Sequence, residues 1–487
     1  MEWSKLLSNK KLREEDPEPS EFDDYPINSF EKDYNSIVSS SVFRRLQDKT
    51  QVFPLDKSDF IRTRLTHSIE VSTIARQLGI MLSTNTTNYE PRDINSTEAE
   101  GIASVLLCAG LLHDLGNPPF GHFGETIIGG WFKDKLSNIE YKGRPLGNIL
   151  SEQMFRDLEC FEGNAQALRI LAKARYQSGI NVSAAVISTL VKYPTNSLSF
   201  DKDAIDIGKH KLGYFLAEYD TLLSVSEMVG TISSESEICR HPLAYILEAA
   251  DDIAYATADL EDAFKKKLFS LTDFIDFYES LYDNASLALR YDTELSQRYY
   301  QEYFYRSLID DLKARRSQHR NMENESRTFT EWITYTRRWL MHAAVFGFSR
   351  NYTNIMQGSY TRDLFSGTNY EKTIKILKKD VMRKFVFNSP SVLKLELSSQ
   401  TILSFLLGKF VCAILYCDYA DEDFKPSEAD KKYLDIFSIN YKQDYAASKT
   451  GDEATDLYLR LLMVIDYISG MTDSYARTLY RELSGIE

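Results

Sequence analysis

Apolar residues recur at three- and four-residue intervals along most of the chain. Five long segments show this helical period, at residues 68–82, 99–112, 163–177, 243–264 and 457–483. Segments in which apolar and polar residues alternate are few and short. Most of the 12 prolines stand at the boundaries of the periodic segments, as expected of a chain built from helices. The pattern therefore predicts a mostly α fold.

A polar run at residues 313–327 interrupts the helical period for about a dozen residues. It predicts a boundary between a catalytic domain at 31–312 and a C-terminal helical region at 328–487, with residues 1–30 as a polar N-terminal extension. The longest apolar stretch, at 402–417, contains Lys409 and is shorter than the roughly 18 to 20 residues of a membrane span. We expect it to be a buried helix and the protein to have no membrane partner.

Composition narrows the class of protein. The 487 residues include 57 Lys and Arg against 71 Asp and Glu, a net charge of −14, and 43% of them are hydrophobic. These values are typical of a soluble globular protein and exclude collagenous, disordered and disulfide-scaffold classes. The acidic excess argues against a surface coated in nucleic acid but leaves a local basic groove open. Five cysteines without a CxxC pair, and an N-terminus without signal-peptide character, predict a cytoplasmic protein.

The segment GLLHDLGNPPFGHFGE, at residues 110–125, carries the strongest chemical signal. Adjacent side chains in mid-helix diverge by about 100°, so His113 and Asp114 share a metal best at a helix end, which Gly116 and the following Asn-Pro-Pro supply. An imidazole and a carboxylate suit a divalent ion such as Mn²⁺, Fe²⁺, Zn²⁺, Ni²⁺ or Mg²⁺. Taken alone, a His-Asp pair is more often a capping arrangement than a pair of metal ligands.

Two other segments add candidate ligands. In RTRLTHS, at 62–68, a helix start offers His67 with Arg64 three residues earlier on the same face, and a cation beside a metal suits a polyphosphate substrate. In EAADDIAYATAD, at 248–259, a spacing of four places Asp251, Tyr255 and Asp259 on one stripe of a small, apolar helix. Carboxylates buried there need a metal or a hydroxyl-bearing partner. A solvated helix face with ordinary charges is the alternative.

His67, the His113-Asp114 pair and Asp251 together resemble the H…HD…D signature of the HD superfamily of metal-dependent phosphohydrolases. Six ordered segments extend the resemblance from about residue 40 to 485: FRRLQDKTQVFP (43–54), RTRLTHS (62–68), HDLGNPPFGHFGE (113–125), FEGNAQ (161–166), EAADDIAYATADLEDA (248–263) and DYISGMTD (466–473). They are similar to segments of bacterial deoxyguanosinetriphosphate triphosphohydrolases, relatives of the human SAM-and-HD-domain dNTP hydrolase. The resemblance implies an HD-domain helical core with an additional C-terminal helical region.

The resemblance also implies catalytic roles. One divalent metal, Mn²⁺ or Mg²⁺ with Zn²⁺, Ni²⁺ or Fe²⁺ as alternatives, is expected on four ligands, which are His67, His113, Asp114 and Asp251. His122 is expected to be the general acid that protonates the departing 5′ oxygen, with Glu125 orienting it and raising its basicity. A structural histidine that caps the loop is the alternative for His122. A second metal is less expected because this region has no further His–His pair.

Expected substrate contacts follow from the same resemblance. The deoxyribose 3′-hydroxyl is assigned to Gln51, Tyr255 and Asp259, and the triphosphate to Arg64, Asn117, Asn164, Lys192 and Tyr193. For Lys192 and Tyr193, a surface lysine and a helix-end aromatic residue are the alternatives. Glu396 is assigned to the guanine edge, where a carboxylate accepts from the N1 and N2 donors.

The implied reaction cleaves dGTP, with other dNTPs left open, into a deoxynucleoside and tripolyphosphate. A homo-oligomer, a hexamer or a tetramer, and a single-stranded DNA or dNTP effector are the implied partners. The alternatives are another HD phosphohydrolase, a nucleotidase or phosphodiesterase, and a nucleotide- or DNA-binding regulator on an HD scaffold. A regulator would be expected to lack a ligand or His122, and this chain has both.

Two further features leave alternatives open. Lys432 is a candidate for a family arginine that reaches a neighbouring subunit's site. The basic stretch KTIKILKKDVMRK, at residues 372–384, could bind DNA or an effector nucleotide. A solvated amphipathic helix with Ile374, Leu377 and Val381 facing inward is the favoured alternative. The native metal, the base preference, the effector and the number of subunits stay open.

Overall fold

Helices build almost the whole structure. The computed structural model of the chain describes residues 1–13, 28–53, 58–84, 94–176, 179–282, 293–318, 324–387, 390–417 and 426–486. Its α-helices are α1 (Trp3–Leu6), α2 (Ser29–Ser39), α3 (Ser41–Arg44), α4 (Arg64–Ser83), α5 (Ser96–Leu112), α6 (Gly121–Lys135), α7 (Glu152–Glu159), α8 (Gly163–Ala172), α9 (Ala184–Leu190), α10 (Tyr219–Val229), α11 (Pro242–Ala254), α12 (Leu260–Lys265), α13 (Leu271–Ser280), α14 (Thr293–Gln318), α15 (Glu325–Arg350), α16 (Tyr352–Met356), α17 (Glu371–Lys375), α18 (Pro390–Ile414), α19 (Glu428–Ile436), α20 (Ile439–Ser448), α21 (Glu453–Ser469) and α22 (Asp473–Ser484). The strands β1 (Glu140–Tyr141) and β2 (Arg144–Pro145) form one antiparallel hairpin. The predicted mostly α fold is confirmed.

Side-chain caps set where the predicted helices begin. The hydroxyl of Thr63 accepts from the backbone N–H of Thr66 and starts α4, and Asn95 forms a capping box with Glu98 at the start of α5. Such caps satisfy amides that the first turn leaves without partners. Both helices cover the periodic segments 68–82 and 99–112, as predicted.

Three periodic segments depart from one regular helix. The run 457–483 is divided because α21 ends at Gly470 and Thr472 caps α22. The run 243–264 is continuous, but a π-helical segment, Tyr255–Asp259, separates α11 from α12. Helix α8 ends at Ala172 and a 3₁₀ turn follows it, while residue 177 lies outside the described residues. A hydrophobic period shows which face of a helix is buried, and it does not detect these breaks because the buried face continues across them.

Two hydrophobic cores organise the helices. The first contains buried residues between Trp3 and Val392, and the second joins α6 and α7 to α18, α21 and α22. Buried residues on both sides of the polar run 313–327 belong to the first core. Across that run, the indole N–H of Trp332 on α15 donates to the carbonyl of Leu308 on α14 over 2.7 Å. The first hydrophobic core therefore continues across the polar run 313–327, and the predicted domain bounds stay a prediction.

Helix α18 is a core helix of the second cluster. Its segment Val392–Ile414 is long and apolar enough to cross a membrane by length and composition, but 50% of the window is buried inside the protein. Leu403, Leu407 and Phe410 are fully buried against the neighbouring helices. This burial agrees with the buried helix that the sequence predicts.

Candidate active site

Two helix ends and the body of a third helix bring the candidate metal ligands together. His67 stands in the first turn of α4, His113 caps the C-terminus of α5, and Asp251 lies on α11. Helices α4 and α5 approach closely at Gly110, where a Cβ atom would stand 2.4 Å from the Cα of Ser72. Glycine at this position therefore allows the two histidines to face each other.

The ligand atoms of His67, His113 and Asp251 all lie within 4.8 Å of one another. The Asp251 Oδ1 atom is 3.4 Å from His67 Nε2 and 3.6 Å from His113 Nε2. His113 Nδ1 lies 2.8 Å from the carbonyl of Gly110, which fixes Nδ1 as the donor and leaves Nε2 with a lone pair. That Nε2 atom is buried without a hydrogen-bond partner among the described residues. Two imidazoles and a carboxylate with a free lone pair fit a divalent metal ion.

Asp114 borders this cluster. Its Oδ2 atom is 3.4 Å from His113 Nε2 and accepts a hydrogen bond from Arg64 over 2.5 Å, while Oδ1 accepts from the amide of Asn117 over 2.6 Å. Three predicted site residues, Arg64, Asp114 and Asn117, are thus brought together. The role of Asp114 as a fourth ligand stays a prediction.

Nearby cations keep the acids of the cluster ionised. Burial opposes ionisation, but Arg64 holds the pKa of Asp114 well below its usual range, and Lys192 does the same for the pKa of Asp251. The Lys192 ammonium is buried and donates to Asp251 Oδ2 over 2.8 Å. The alternative of a surface lysine is therefore wrong. Tyr193 is partly buried, and burial together with Glu248 raises the pKa of its phenol to about 12.

His122 and Glu125 form a pair at the start of α6. His122 Nδ1 lies 2.8 Å from Glu125 Oε2, and Glu125 Oε1 accepts from the backbone N–H of Gly163 over 2.9 Å. The carboxylate is buried, whereas 75% of the His122 side chain is exposed. The hydrogen bond to Glu125 and its charge raise the pKa of His122. The fixed Glu125 carboxylate thus orients the His122 imidazole, whose exposed side chain leaves Nε2 available to a ligand.

Glycines hold the segments around this pair in close contact. A Cβ atom on Gly163 would stand 2.1 Å from the side-chain oxygen of Asn117, and one on Gly116 would stand 2.1 Å from the carbonyl of Gly163. The sequence segments FEGNAQ and HDLGNPPFGHFGE are therefore in direct contact. Gly124 serves packing, because its Cβ atom would stand 2.1 Å from the carbonyl of Pro119.

Gln51 meets Asp259 beside the cluster. The Gln51 amide donates to Asp259 Oδ2 over 3.3 Å, while Gln51 Oε1 and Asp259 Oδ1 are buried without partners among the described residues. Burial raises the pKa of Asp259 to about 7. Tyr255 stands on the same π-helical segment, which the guanidinium of Arg337 holds through the hydroxyl of Thr257. Buried polar atoms without partners indicate room for a polar ligand group.

Sequence reasoning missed Lys211. Its ammonium donates to Glu162 Oε1 over 2.8 Å, and the same oxygen accepts from the amide of Asn164 over 2.8 Å. Lys211 also lowers the pKa of Glu125 through its charge, although burial opposes that shift. The only local signal is a lysine in a polar loop, which is common in loops without a site.

Glu396 is not brought into contact with the other candidate residues in the described part of the chain. It is half-buried on α18 and lines a groove of 710 Å³ together with Phe123, Ile127 and Trp131 of α6. Lys432 is exposed on α19. Neither position tests the role that the sequence assigned to it.

The basic stretch 372–384 packs as the amphipathic alternative predicts. Ile374, Leu377 and Val381 are buried, which confirms their inward orientation. Lys378 forms an ion pair with Asp252, the neighbour of Asp251 on α11. The stretch therefore supports the helix that carries a candidate metal ligand.

Comparison of the sequence with known proteins identifies its family. Residues 64–178 match the HD domain, and residues 440–482 match the phosphohydrolase-associated domain. A deoxyguanosinetriphosphate triphosphohydrolase-like protein of Listeria monocytogenes is 39% identical, with 100% of both chains covered. The chain belongs to the deoxyguanosinetriphosphate triphosphohydrolase family. A deoxyguanosinetriphosphate triphosphohydrolase-like protein of Synechocystis sp. is 32% identical, with 100% of both chains covered. The deoxyguanosinetriphosphate triphosphohydrolase of Yersinia pseudotuberculosis is 31% identical, with 96% of each chain covered.

The protein is thus an HD-domain phosphohydrolase, as the sequence resemblance predicts. HD domains are metal-dependent, and the His67, His113 and Asp251 cluster is a suitable metal site. The matched HD domain also contains the His122–Glu125 pair. The phosphohydrolase-associated domain contains Asp466 and Asp473, which accept hydrogen bonds from Arg169 and Phe120 of the HD domain.

Proposed function

We propose that the protein is a dNTP triphosphohydrolase that cleaves dGTP into deoxyguanosine and tripolyphosphate. One observation carries the proposal: both histidines of the His-His-Asp cluster, one with an imidazole nitrogen that has no partner among the described residues, lie in the same matched HD domain as an exposed histidine on a fixed carboxylate. Full-length relatives with the dGTP triphosphohydrolase name support the substrate. Other dNTPs are further candidates.

His67, His113 and Asp251, with Asp114 beside them, would hold the divalent ion. A bound ion supplies Lewis acidity and a water of lowered pKa for attack on phosphorus. Arg64 and Lys192 surround the cluster with positive charge, and the Nε atom of Arg64 is buried without a partner in the described residues. These cations and Lys211 would balance the charge of a triphosphate, and the neutral side chains of Asn117, Asn164 and Tyr193 would donate hydrogen bonds to its oxygens.

His122 would protonate the departing 5′ oxygen. Because Glu125 accepts from Nδ1, the proton available for transfer is on Nε2. Because Glu125 also raises the pKa of His122, a larger fraction of the imidazole is protonated near neutral pH. The Gly163 N–H fixes Glu125 from the other side, so the pair needs little reorganisation before the reaction.

Gln51 and Asp259 would bind the deoxyribose 3′-hydroxyl. A hydroxyl can donate to the unpartnered Asp259 Oδ1 atom and also contact Gln51, which satisfies groups that are costly to bury alone. Tyr255, on the same π-helical segment, would pack beneath the sugar and exclude a 2′-hydroxyl. Recognition of guanine by Glu396 remains part of the proposal through the sequence resemblance.

Assembly and regulation follow the same resemblance. A hexamer or tetramer, a single-stranded DNA or dNTP effector, a contact from Lys432 to a neighbouring subunit and a cytoplasmic location are predictions. Mn²⁺ or Mg²⁺ is the expected metal.

Product analysis tests the reaction directly. Purified protein is incubated with Mn²⁺ or Mg²⁺ and each of the four dNTPs, and the products are resolved by anion exchange. Deoxynucleoside and tripolyphosphate in equal amounts are expected. Monophosphate or diphosphate products would indicate another HD hydrolase. An absence of turnover with every metal, with and without dNTP effectors and single-stranded DNA, would indicate a regulatory scaffold.

The role of His122 is tested by the His122→Ala variant. Loss of the general acid should lower kcat about a hundredfold or more while metal binding, measured by calorimetry, is retained. His342→Ala is the matched control, because His342 is an exposed histidine on α15. Normal turnover by His122→Ala would remove His122 from the mechanism.

A further inference from the structure

The loop between the metal cluster and His122 adopts an unfavourable backbone conformation. Phe120 has φ 66° and Gly121 has φ 63°, so two successive residues occupy the left-handed region immediately before His122. A residue other than glycine is strained in this region because its Cβ atom crowds the backbone. Contacts from elsewhere in the fold must therefore hold Phe120 in place.

Asp473 supplies one of these contacts. It is buried at the start of α22, and its Oδ1 atom accepts from the backbone N–H of Phe120 over 2.9 Å. Its Oδ2 atom accepts from the backbone N–H of Thr50 over 3.1 Å and from the Thr50 hydroxyl. One carboxylate thus joins the loop to the segment that carries Gln51.

Lys49 supplies the second contact. Its buried ammonium donates to the carbonyl of Asn117 over 2.6 Å and to the carbonyl of Ser469 over 2.7 Å. The backbone carbonyl of Lys49 accepts from the N–H of Arg64, the first residue of the helix that carries His67. Lys49 therefore connects the loop, a ligand helix and the C-terminal turn 469–473.

We propose that Lys49 and Asp473 are positioning residues that set the location of His122 relative to the metal ligands. Through them, the turn between α21 and α22 in the phosphohydrolase-associated domain controls proton donation in the HD domain. Both side chains are buried, and their hydrogen bonds go to the loop, to Thr50 and to Ser469, so both act through the loop. The inference rests on the proposed function because it assigns His122 as the general acid.

A double-mutant cycle tests the coupling to His122. The Asp473→Asn substitution should lower kcat for dGTP about tenfold, with KM and metal affinity changed less than about twofold. In a His122→Ala background the same substitution should lower kcat less than about twofold, because there is no general acid left to position. An undiminished tenfold loss in that background would overturn the inference.

Asp456→Asn is the matched control. Asp456 is a buried carboxylate of the same C-terminal domain, and it accepts from the backbone N–H groups of Thr450 and Gly451 over 2.8 and 3.1 Å. It has no hydrogen bond to the loop 116–121 among the described residues. Asp456→Asn should therefore leave kcat unchanged, and a tenfold loss there would assign the effect of Asp473→Asn to general damage of the domain.

Hydrogen–deuterium exchange gives a measurement that is independent of activity. Peptides that cover residues 115–122 should exchange at least about tenfold faster in Asp473→Asn and in Lys49→Met than in the wild-type protein, and Asp456→Asn should match the wild type. Unchanged exchange in the first two variants would overturn the inference whatever the activity. If the wild-type protein hydrolyses no dNTP, the proposed function fails, while faster exchange would still support the hold on the loop.

Discussion

Two groups of buried charged side chains in this protein differ in how far hydrogen bonds from the protein satisfy their central atoms. Between the two matched domains, Asp466 on α21 has four hydrogen bonds. Its Oδ1 atom accepts from Gln166 and Arg169, each over 2.8 Å, and its Oδ2 atom accepts from Arg169 over 2.8 Å and Lys173 over 2.9 Å. Arg169 also donates to Glu218 over 2.7 Å. Here the protein itself supplies partners to both oxygens of Asp466, although Glu218 Oε2 and Gln166 Oε1 are buried without partners in the described residues.

The candidate metal cluster leaves its polar groups incomplete. His113 Nε2 and Asp259 Oδ1 are buried without hydrogen-bond partners in the described residues. Three candidate ligand atoms, from His67, His113 and Asp251, converge within 4.8 Å. Unsatisfied buried groups lower stability unless a ligand completes them. The two groups therefore differ at their centres: both oxygens of Asp466 accept from cationic side chains, whereas His113 Nε2 keeps a lone pair that no described residue uses.

The largest expected effect is on activity, in the His113→Ala variant. Loss of this ligand should reduce turnover by on the order of a thousandfold or more, because the metal is lost with it. The folded structure should persist, because the substitution removes only one protein hydrogen bond, from Nδ1 to the Gly110 carbonyl, while Nε2 has no partner among the described residues. In thermal unfolding, Mn²⁺ at about a hundred times its Kd should stabilise the wild-type protein by about 2.7 kcal/mol and the variant by nothing measurable.

His241 provides the control for that experiment. It is a buried histidine that caps α11, and its Nε2 atom lies 3.1 Å from the carbonyl of Leu6. His241→Ala should lower stability by about 1 kcal/mol or more and keep the metal-dependent increase. If His113→Ala kept the full increase, the cluster would not be the metal site.

The sequence is informative where chemistry is local. His67 and His113 stand at helix ends that caps and glycines mark, so their place in a candidate metal cluster could be predicted from motifs. The contact between Thr50 and Asp473 joins residues 423 positions apart, and that between Arg169 and Asp466 spans 297. Such pairs depend on how helices pack, and a periodic pattern records only which face is buried. The π-helical segment and the role of Lys211 were missed for the same reason.

The next largest effect is expected on stability, in the Asp466→Asn variant. Burial opposes ionisation, but Arg169 and Lys173 lower the pKa of Asp466 to about 2, so the charge is strongly coupled to its partners. Its removal leaves two cations without their main counter-charge and should cost about 3 to 5 kcal/mol in urea unfolding. The metal-dependent stabilisation of the folded fraction should remain.

One variant serves as the control for Asp466→Asn, and a double variant serves as its rescue. Glu325→Gln removes a more exposed ion pair with Arg316, whose atoms are 3.2 Å apart, and should cost less than about 1 kcal/mol. If Asp466→Asn fails to fold, the double variant Asp466→Leu with Arg169→Met should recover much of the loss, because apolar replacement removes both buried charges. A cost of less than 1 kcal/mol for Asp466→Asn would remove the contrast between the two groups of charges.

The smallest expected effect concerns a carboxyl group beside the second core that has no cation in contact among the described residues. Asp157 is fully buried and accepts from the backbone N–H of Leu216 over 2.7 Å and from the hydroxyl of Tyr458 over 2.5 Å. Burial raises its pKa from 3.8 to about 6. Because the folded chain holds this proton more tightly than the unfolded chain, the contribution of the proton to stability is full below about pH 4 and is lost as the pH rises to about 6.

The Asp157→Asn variant carries no proton to lose at this position. Its free energy of unfolding should therefore rise relative to the wild type by about 2 kcal/mol between about pH 4 and 7. A difference that falls over this range would show that Asp157 is stabilised as an anion, as Asp466 is, and that a buried carboxylate in this core needs no cation.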